Sequence, residues 1–190
     1  MIDVEIFFSS LKNSGVDFFT GVPDSLLKDI CAYITDNTDA DNHIIAANEG
    51  NAISLGIGYH LATKKVPLIY LQNSGLGNAI NPILSLADPD VYSIPMILLI
   101  GWRGEPNVKD EPQHLKQGKV TTDLLDTMNI PYEILSSDMN SHEADLVVKK
   151  MVKNSIDLNA PCALLVKKLL LIAINLDLRK NFKESCIVRK

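Results

Sequence analysis

The sequence predicts a three-layer α/β/α domain built on a parallel sheet. Two observations carry this. Short, nearly unbroken apolar runs alternate with longer stretches in which apolar residues recur at helical spacing, the pattern of strands buried on both faces by crossover helices. The chain of 190 residues, 46% of them hydrophobic, is also long enough to enclose such a core in one domain.

Taken in order, VEIFFSSLKNSG has helical spacing and VDFFTGV is short, β-branched and aromatic, so a helix precedes the first strand. The alternation then runs through a helix in DSLLKDICAYITDN, a strand in HIIAA read as the end of a buried run, and a helix in EGNAISLGIGYHLATK. It continues with a strand in VPLIYLQ, a helix in GLGNAINPILSLAD and a strand in PMILLIG. A polar loop, WRGEPNVKDEPQH, leads to a helix in KVTTDLLDTMN, a strand near YEIL, a helix from Ser141 to about Asn154 and a strand in CALLVK. Residues 1–168 form the expected domain. Residues 169–190 lose the rhythm and are expected to be a tail or one more helix.

Composition narrows the function classes. A net charge of -5 without a basic run argues against nucleic acid as a partner. The longest apolar run, Leu169 to Ile174, is far below the roughly 20 residues that span a bilayer. The acids in MIDVEIFF argue against a secretory leader, and the stretch is read instead as the start of the first helix. Cys31, Cys162 and Cys186 lack any metal or disulfide spacing, so a cytoplasmic location is expected.

In open parallel sheets, ligands gather at the carboxyl ends of the strands. Four unusual stretches fall there: Gly21-Val22-Pro23-Asp24-Ser25, Ala47-Asn48-Glu49-Gly50-Asn51-Ala52, Gln72-Asn73-Ser74-Gly75-Leu76-Gly77-Asn78, and the WRGEPNVKDEPQH loop. Each has an ordinary structural explanation as well. The glycine turn is either a helix-capping turn or a loop whose N–H groups approach a ligand; Ile80 stands where a dinucleotide fingerprint would need its third glycine. Asp24 or Ser25 can cap the following helix. His114 has no metal-ligand partner by spacing. Arg103, Lys109, Lys116 and Lys119 are either a solvated loop face or a cluster able to hold an anionic substrate. Glu49 suits the first turn of a helix, yet the small residues Gly50 and Ala52 beside it leave room for a ligand.

Together, Asn48-Glu49-Gly50-Asn51-Ala52, Gly21-Val22-Pro23-Asp24 and Asn73-Ser74-Gly75-Leu76-Gly77-Asn78 resemble, in order and register, the pyrimidine-binding domain of the thiamine-diphosphate-dependent decarboxylases. The resemblance implies the fold of that domain and a carboxy-lyase activity on a 2-oxo acid. The expected reaction converts 3-phosphonopyruvate to phosphonoacetaldehyde and CO2, with sulfopyruvate as the alternative substrate. It also implies that the Glu49 carboxylate binds N1′ of the cofactor's aminopyrimidine, favouring the imino tautomer that takes the thiazolium C2 proton. Val22, Pro23, Asn73, Ser74, Gly75 and Asn78 would line the cofactor. Asp24 and His114 would move protons around the substrate. Arg103, Lys109 and Lys116 are candidates for the distal anion on charge grounds.

The family's Gly-Asp-Gly motif, which holds Mg2+ and the diphosphate, does not occur in these 190 residues. The chain is therefore expected to supply only half of an active unit, to need a diphosphate-binding domain or subunit, and to assemble as an oligomer with an exposed apolar face. A competing expectation from another class is a non-catalytic nucleotide-binding or interaction domain.

Overall fold

The computed structural model describes residues 2–167 and 171–172. The elements follow the order β1 (Ile2–Asp3), α1 (Val4–Asn13), β2 (Phe19–Gly21), α2 (Lys28–Asn37), β3 (His43–Ile45), α3 (Glu49–Thr63), β4 (Leu68–Gln72), α4 (Leu76–Pro82), β5 (Met96–Gly101), α5 (Pro112–Thr127), β6 (Tyr132–Leu135), α6 (Ser141–Leu158), β7 (Pro161–Val166) and β8 (Leu171–Ile172). Six strands form one parallel sheet in the order β3-β2-β4-β5-β7-β6. The expected three-layer architecture is present.

Period-two alternation splits the core into two faces. On one face Leu68, Tyr70, Ile97, Leu99 and Leu164 meet α1, α2 and α6 through residues such as Phe7, Ile34 and Val148. On the other, Ile69, Leu71, Leu98, Ile100 and Leu165 meet α3, α4 and α5 through Ile53, Ala79 and Leu125. Strands covered on both sides must be apolar at every position, and β5 and β7 are buried throughout.

Several boundaries differ from those expected. Ile2 and Asp3, assigned to the first helix, form a short strand paired in parallel with Leu171 and Ile172, and Asp3 caps α1 by accepting from the Glu5 N–H at 2.7 Å. A 3-10 turn at Ser25–Leu27 precedes α2, and α6 continues to Leu158. The helix expected from Gly75 to Asp88 is a 3-10 turn at Asn73–Gly75, then α4, then a wider π-type turn at Ile83–Ala87. The strand His43–Ile45, read as buried, is the sheet's edge: Ile44 is 37% and Ile45 59% exposed. Apart from Leu171–Ile172, the expected tail lies outside the described residues.

The strand order positions the site. From β2 the chain steps outward to β3, then returns to place β4 on the other side of β2. Connections leaving β2 and β4 diverge at that point, the place where an open α/β sheet sets its ligand crevice, between the strands' carboxyl ends.

Candidate active site at the strand ends

Glu49 is the first residue of α3, behind the N-cap Asn48, whose side chain accepts from the Asn51 N–H at 2.9 Å. Helix geometry tilts its side chain back toward the helix N-terminus, and here that direction leads to the turn after β4. Glu49 Oε2 accepts from Asn78 Nδ2 at 2.8 Å, and the half-buried carboxylate lies on Gly75. A Cβ on Gly75 would sit 2.4 Å from Glu49 Oε1 and 2.5 Å from its Cγ, so a larger residue at that position would displace the carboxylate. Among the described residues, no donor other than Asn78 reaches the Glu49 carboxylate.

The turn after β2 supplies the opposite wall. The Val22 N–H donates to the Tyr70 carbonyl at 3.0 Å, Pro23 is exposed, and Asp24 caps the 3-10 turn by accepting from the Leu26 N–H at 2.9 Å. Asp24 is 6% exposed and lies against Gly101, where a Cβ would come within 2.2 Å of its Oδ2. Burial raises its pKa, against the opposing pull of the Leu26 and Ser25 N–H groups, Arg103 and His114. Asp24 is therefore both a cap and a carboxyl group that is costly to ionise.

Asn73 does not face a ligand with free polar atoms. Its Nδ2 donates to the Arg103 carbonyl at 2.8 Å and to Thr121 Oγ1 at 2.9 Å, while its Oδ1 accepts from the Arg103 N–H at 3.1 Å. It ties the turn after β4 to the loop after β5 and to α5. Ser74 accepts from Gln72 Nε2 at 2.6 Å; Asn78, beyond its bond to Glu49, is exposed.

Arg103 is paired rather than free. Its Nε and one terminal nitrogen donate to the two oxygens of Asp110 at 2.8 and 2.5 Å, and the other terminal nitrogen donates to Ser25 Oγ at 2.9 Å. Asp110 also accepts from the N–H groups of Gly104 and Glu111, each at 2.8 Å. The guanidinium holds the Asp110 carboxyl far below the usual carboxylate range.

The four cations expected in one loop are divided between two elements. Arg103 and Lys109 lie in the loop, but α5 begins at Pro112, so His114, Lys116 and Lys119 are on the helix. Lys109, Lys116 and Lys119 are exposed and His114 is half-buried. Backbone contact explains the early helix start: a Cβ on Gly118 would lie 1.7 Å from the Gly104 carbonyl oxygen, and Trp102 Nε1 donates to the Gly118 carbonyl at 2.9 Å. Asp110, Ser25, Thr121 and Trp102 were not among the residues expected to form the site; only the placement of Asp110, Trp102 and Ser25 in strand-end loops pointed toward them.

Beyond Glu49, the edge of the site is open. Ile44, Ile45, Ala46, Ala47, Asn51, Ser54 and Leu55 line a shallow groove of about 480 Å³ between β3 and α3.

Comparison with known proteins identifies the family. A family model described as the thiamine pyrophosphate enzyme, N-terminal TPP binding domain, matches residues 4–129. The alpha subunit of sulfopyruvate decarboxylase from Methanococcus maripaludis is 37% identical over 165 residues, covering 87% of this chain and 94% of that subunit. Phosphonopyruvate decarboxylase from Streptomyces viridochromogenes is 34% identical over 135 residues; the match covers 71% of this chain but only 33% of that enzyme. Among solved structures, 2-oxoglutarate:ferredoxin oxidoreductase from Magnetococcus marinus aligns with 90% of this chain and 29% of that chain at a TM-score of 0.63; at 16% identity this is a likeness of fold alone. The chain belongs to the thiamine pyrophosphate enzymes, as an N-terminal TPP-binding domain of their decarboxylase branch.

Proposed function

We propose that the chain is the pyrimidine-binding half of a thiamine-diphosphate-dependent decarboxylase acting on a three-carbon 2-oxo acid with a distal phosphonate or sulfonate. The observation that carries this is the Glu49 carboxylate, which lies on the glycine turn after β4, is half-buried, and is partnered among the described residues by Asn78 alone. An acceptor with spare capacity beside a glycine turn fits the protonated ring nitrogen of an aminopyrimidine. Bound thiamine diphosphate supplies the carbon nucleophile and electron sink for loss of CO2.

The chain's own part is placement and proton sharing. With the cofactor bound, the Glu49 carboxylate would hold the pyrimidine at N1′ and would serve as the acceptor through which a proton is shared with the ring. Val22, Pro23, Ser74 and Gly75 would form the walls against which the ring packs. Asn73 acts through Arg103, fixing its backbone. Asp24, kept reluctant to ionise by burial, and His114 are the candidates to give or take the substrate's proton.

Diphosphate and Mg2+ are assigned to a partner domain or subunit. Among the described residues no group of three His, Cys, Asp or Glu side chains is placed to hold a metal ion, and Gly-Asp-Gly does not occur in the sequence. The exposed Ile44, Ile45 and Leu55 adjoin Glu49 and provide an apolar face for that partner or for a second copy of the chain. A cytoplasmic location belongs to the same proposal. Cys31 and Cys162 are buried free thiols, and no described helix is long and apolar enough to cross a membrane.

Co-expression with a diphosphate-binding partner should yield an assembly that decarboxylates 3-phosphonopyruvate or sulfopyruvate. Glu49→Gln in that assembly should lower turnover by about 10²–10⁴-fold while leaving the circular dichroism spectrum unchanged. Near-normal turnover would remove Glu49 from the chemistry. Tight binding of NAD by the chain, without binding of thiamine diphosphate by the assembly, would favour a nucleotide-binding module.

A further inference from the structure

The loop after β5 is fastened with unusual thoroughness around one cation. Asn73 takes both backbone polar groups of Arg103, Asp110 takes two guanidinium donors in a fork, and Ser25 takes a third. The pair is well shielded, with side-chain exposures of 18% for Arg103 and 11% for Asp110. Joining the three turns that follow β2, β4 and β5 would need only part of this. The fork also fixes the charge that the crevice presents.

A guanidinium has five N–H donors. Three are used in the fork and on Ser25, which leaves one on each terminal nitrogen to meet two oxygens of a tetrahedral anion. Its single positive charge is cancelled by Asp110, and the nearby carboxyl groups of Asp24 and Glu111 add to the negative side. Lys109 and Lys116, the remaining candidates for the anion, are exposed and screened by water and salt. A dianion placed here feels twice the repulsion of a monoanion from each carboxylate, and its desolvation cost is roughly fourfold larger because that cost scales with the square of the charge.

Resting on the decarboxylase reading above, we infer that Asp110 is a specificity-determining positioning residue: it orients Arg103 and cancels its charge, so that the distal-anion subsite takes a sulfonate monoanion in preference to a phosphonate dianion.

The test uses the full chain assembled with its diphosphate-binding partner, and sulfopyruvate and 3-phosphonopyruvate as probes, between about pH 6 and about pH 8, across the second ionisation of a phosphoryl-type group, at about pH 6 for a phosphate ester. In the wild-type assembly the ratio of KM for phosphonopyruvate to KM for sulfopyruvate should rise about tenfold across that range. Asp24 and Glu111 also stand near Arg103, and His114 near Asp24; all three remain in Asp110→Asn, so the part of the rise that this variant removes belongs to Asp110. Asp110→Asn should flatten the rise and should move the KM ratio more than the kcat ratio, while Asp110→Glu should retain it.

A flat wild-type ratio, a wild-type preference for phosphonopyruvate at the upper pH, or an unchanged slope in Asp110→Asn would overturn the inference. If Asp110→Asn does not fold, the wild-type profile decides alone. If the assembly consumes neither acid, the decarboxylase reading has failed and the inference falls with it; if it consumes both with no pH-dependent ratio, only the inference fails.

Discussion

The two walls of the crevice are built in opposite ways. On the side of β5 and α5, the polar groups from Asn73 through Arg103 to Asp110 find partners inside the chain, with the Trp102 indole donating to the Gly118 carbonyl and Gly104 and Gly118 closing backbone on backbone. On the side of β3 and α3, apolar residues are left uncovered, Ile45 at 59% exposure, and Glu49 has one partner among the described residues. The first wall carries its own stability; the second has apolar surface and acceptor capacity to spare. The difference suggests that rigidity is supplied in cis and completion in trans.

The largest expected effect on stability comes from loosening the closed wall. Asn73→Ala removes three hydrogen bonds, leaving the Thr121 hydroxyl only its bond to the Gln117 carbonyl and the Arg103 N–H only its longer one to the Gly101 carbonyl. It should cost about 2–3 kcal/mol in denaturant unfolding. A cost under about 0.5 kcal/mol, the level of an ordinary surface substitution, would show that the network is not what holds this wall.

Asp24 sits where the walls meet, and its substitution should sharpen the contrast by raising stability. Burial lifts its folded pKa above the ordinary 3.8, so the folded chain holds the proton more tightly than the unfolded chain does. The resulting penalty is absent below pH 3.8 and fully present once pH has risen past the folded value. Asp24→Asn keeps an acceptor for the Leu26 N–H and removes the penalty. The variant should melt at a higher temperature than wild type at neutral pH, the gap should close as pH falls toward 3.8, and decarboxylation by the assembly should drop. A lower melting temperature at neutral pH would mean that the ionised carboxylate is instead favoured by its donors.

The smallest effect on stability is expected at the open wall. Ile45→Lys should change the unfolding free energy of the isolated chain by no more than about 0.5 kcal/mol, yet weaken association with the diphosphate-binding partner in sedimentation or calorimetry. Unchanged association would place the partner elsewhere.

The same contrast governs how much was legible in the sequence. β4, β5 and β7 were readable because a strand buried on both faces must be apolar throughout, and that constraint is local. The edge position of β3 was not, since His-Ile-Ile has the composition of a buried strand and only the sheet order exposes it. The start of α5 was hidden because Pro112 to Gly118 is polar and contains glycine, and its helical form depends on contacts with Trp102 and Gly104. Glu49 and the glycine turn could be recognised as motifs, and the structure brings them together across 29 residues of sequence. The capture of Arg103 by Asp110, seven residues away inside a loop, follows no periodic rule, so a cation that looked free in the sequence is neutralised in the fold.

The central claim, that Glu49 is the group that works on the pyrimidine, is tested most directly without any substrate. Exchange of the thiazolium C2 proton of thiamine diphosphate with solvent deuterium can be followed by NMR in the chain assembled with its partner. The account predicts exchange far faster than in free solution for wild type and slowed by about 10²-fold or more in Glu49→Gln, with cofactor still bound. Equal exchange rates in the two assemblies, both fully loaded, would contradict it.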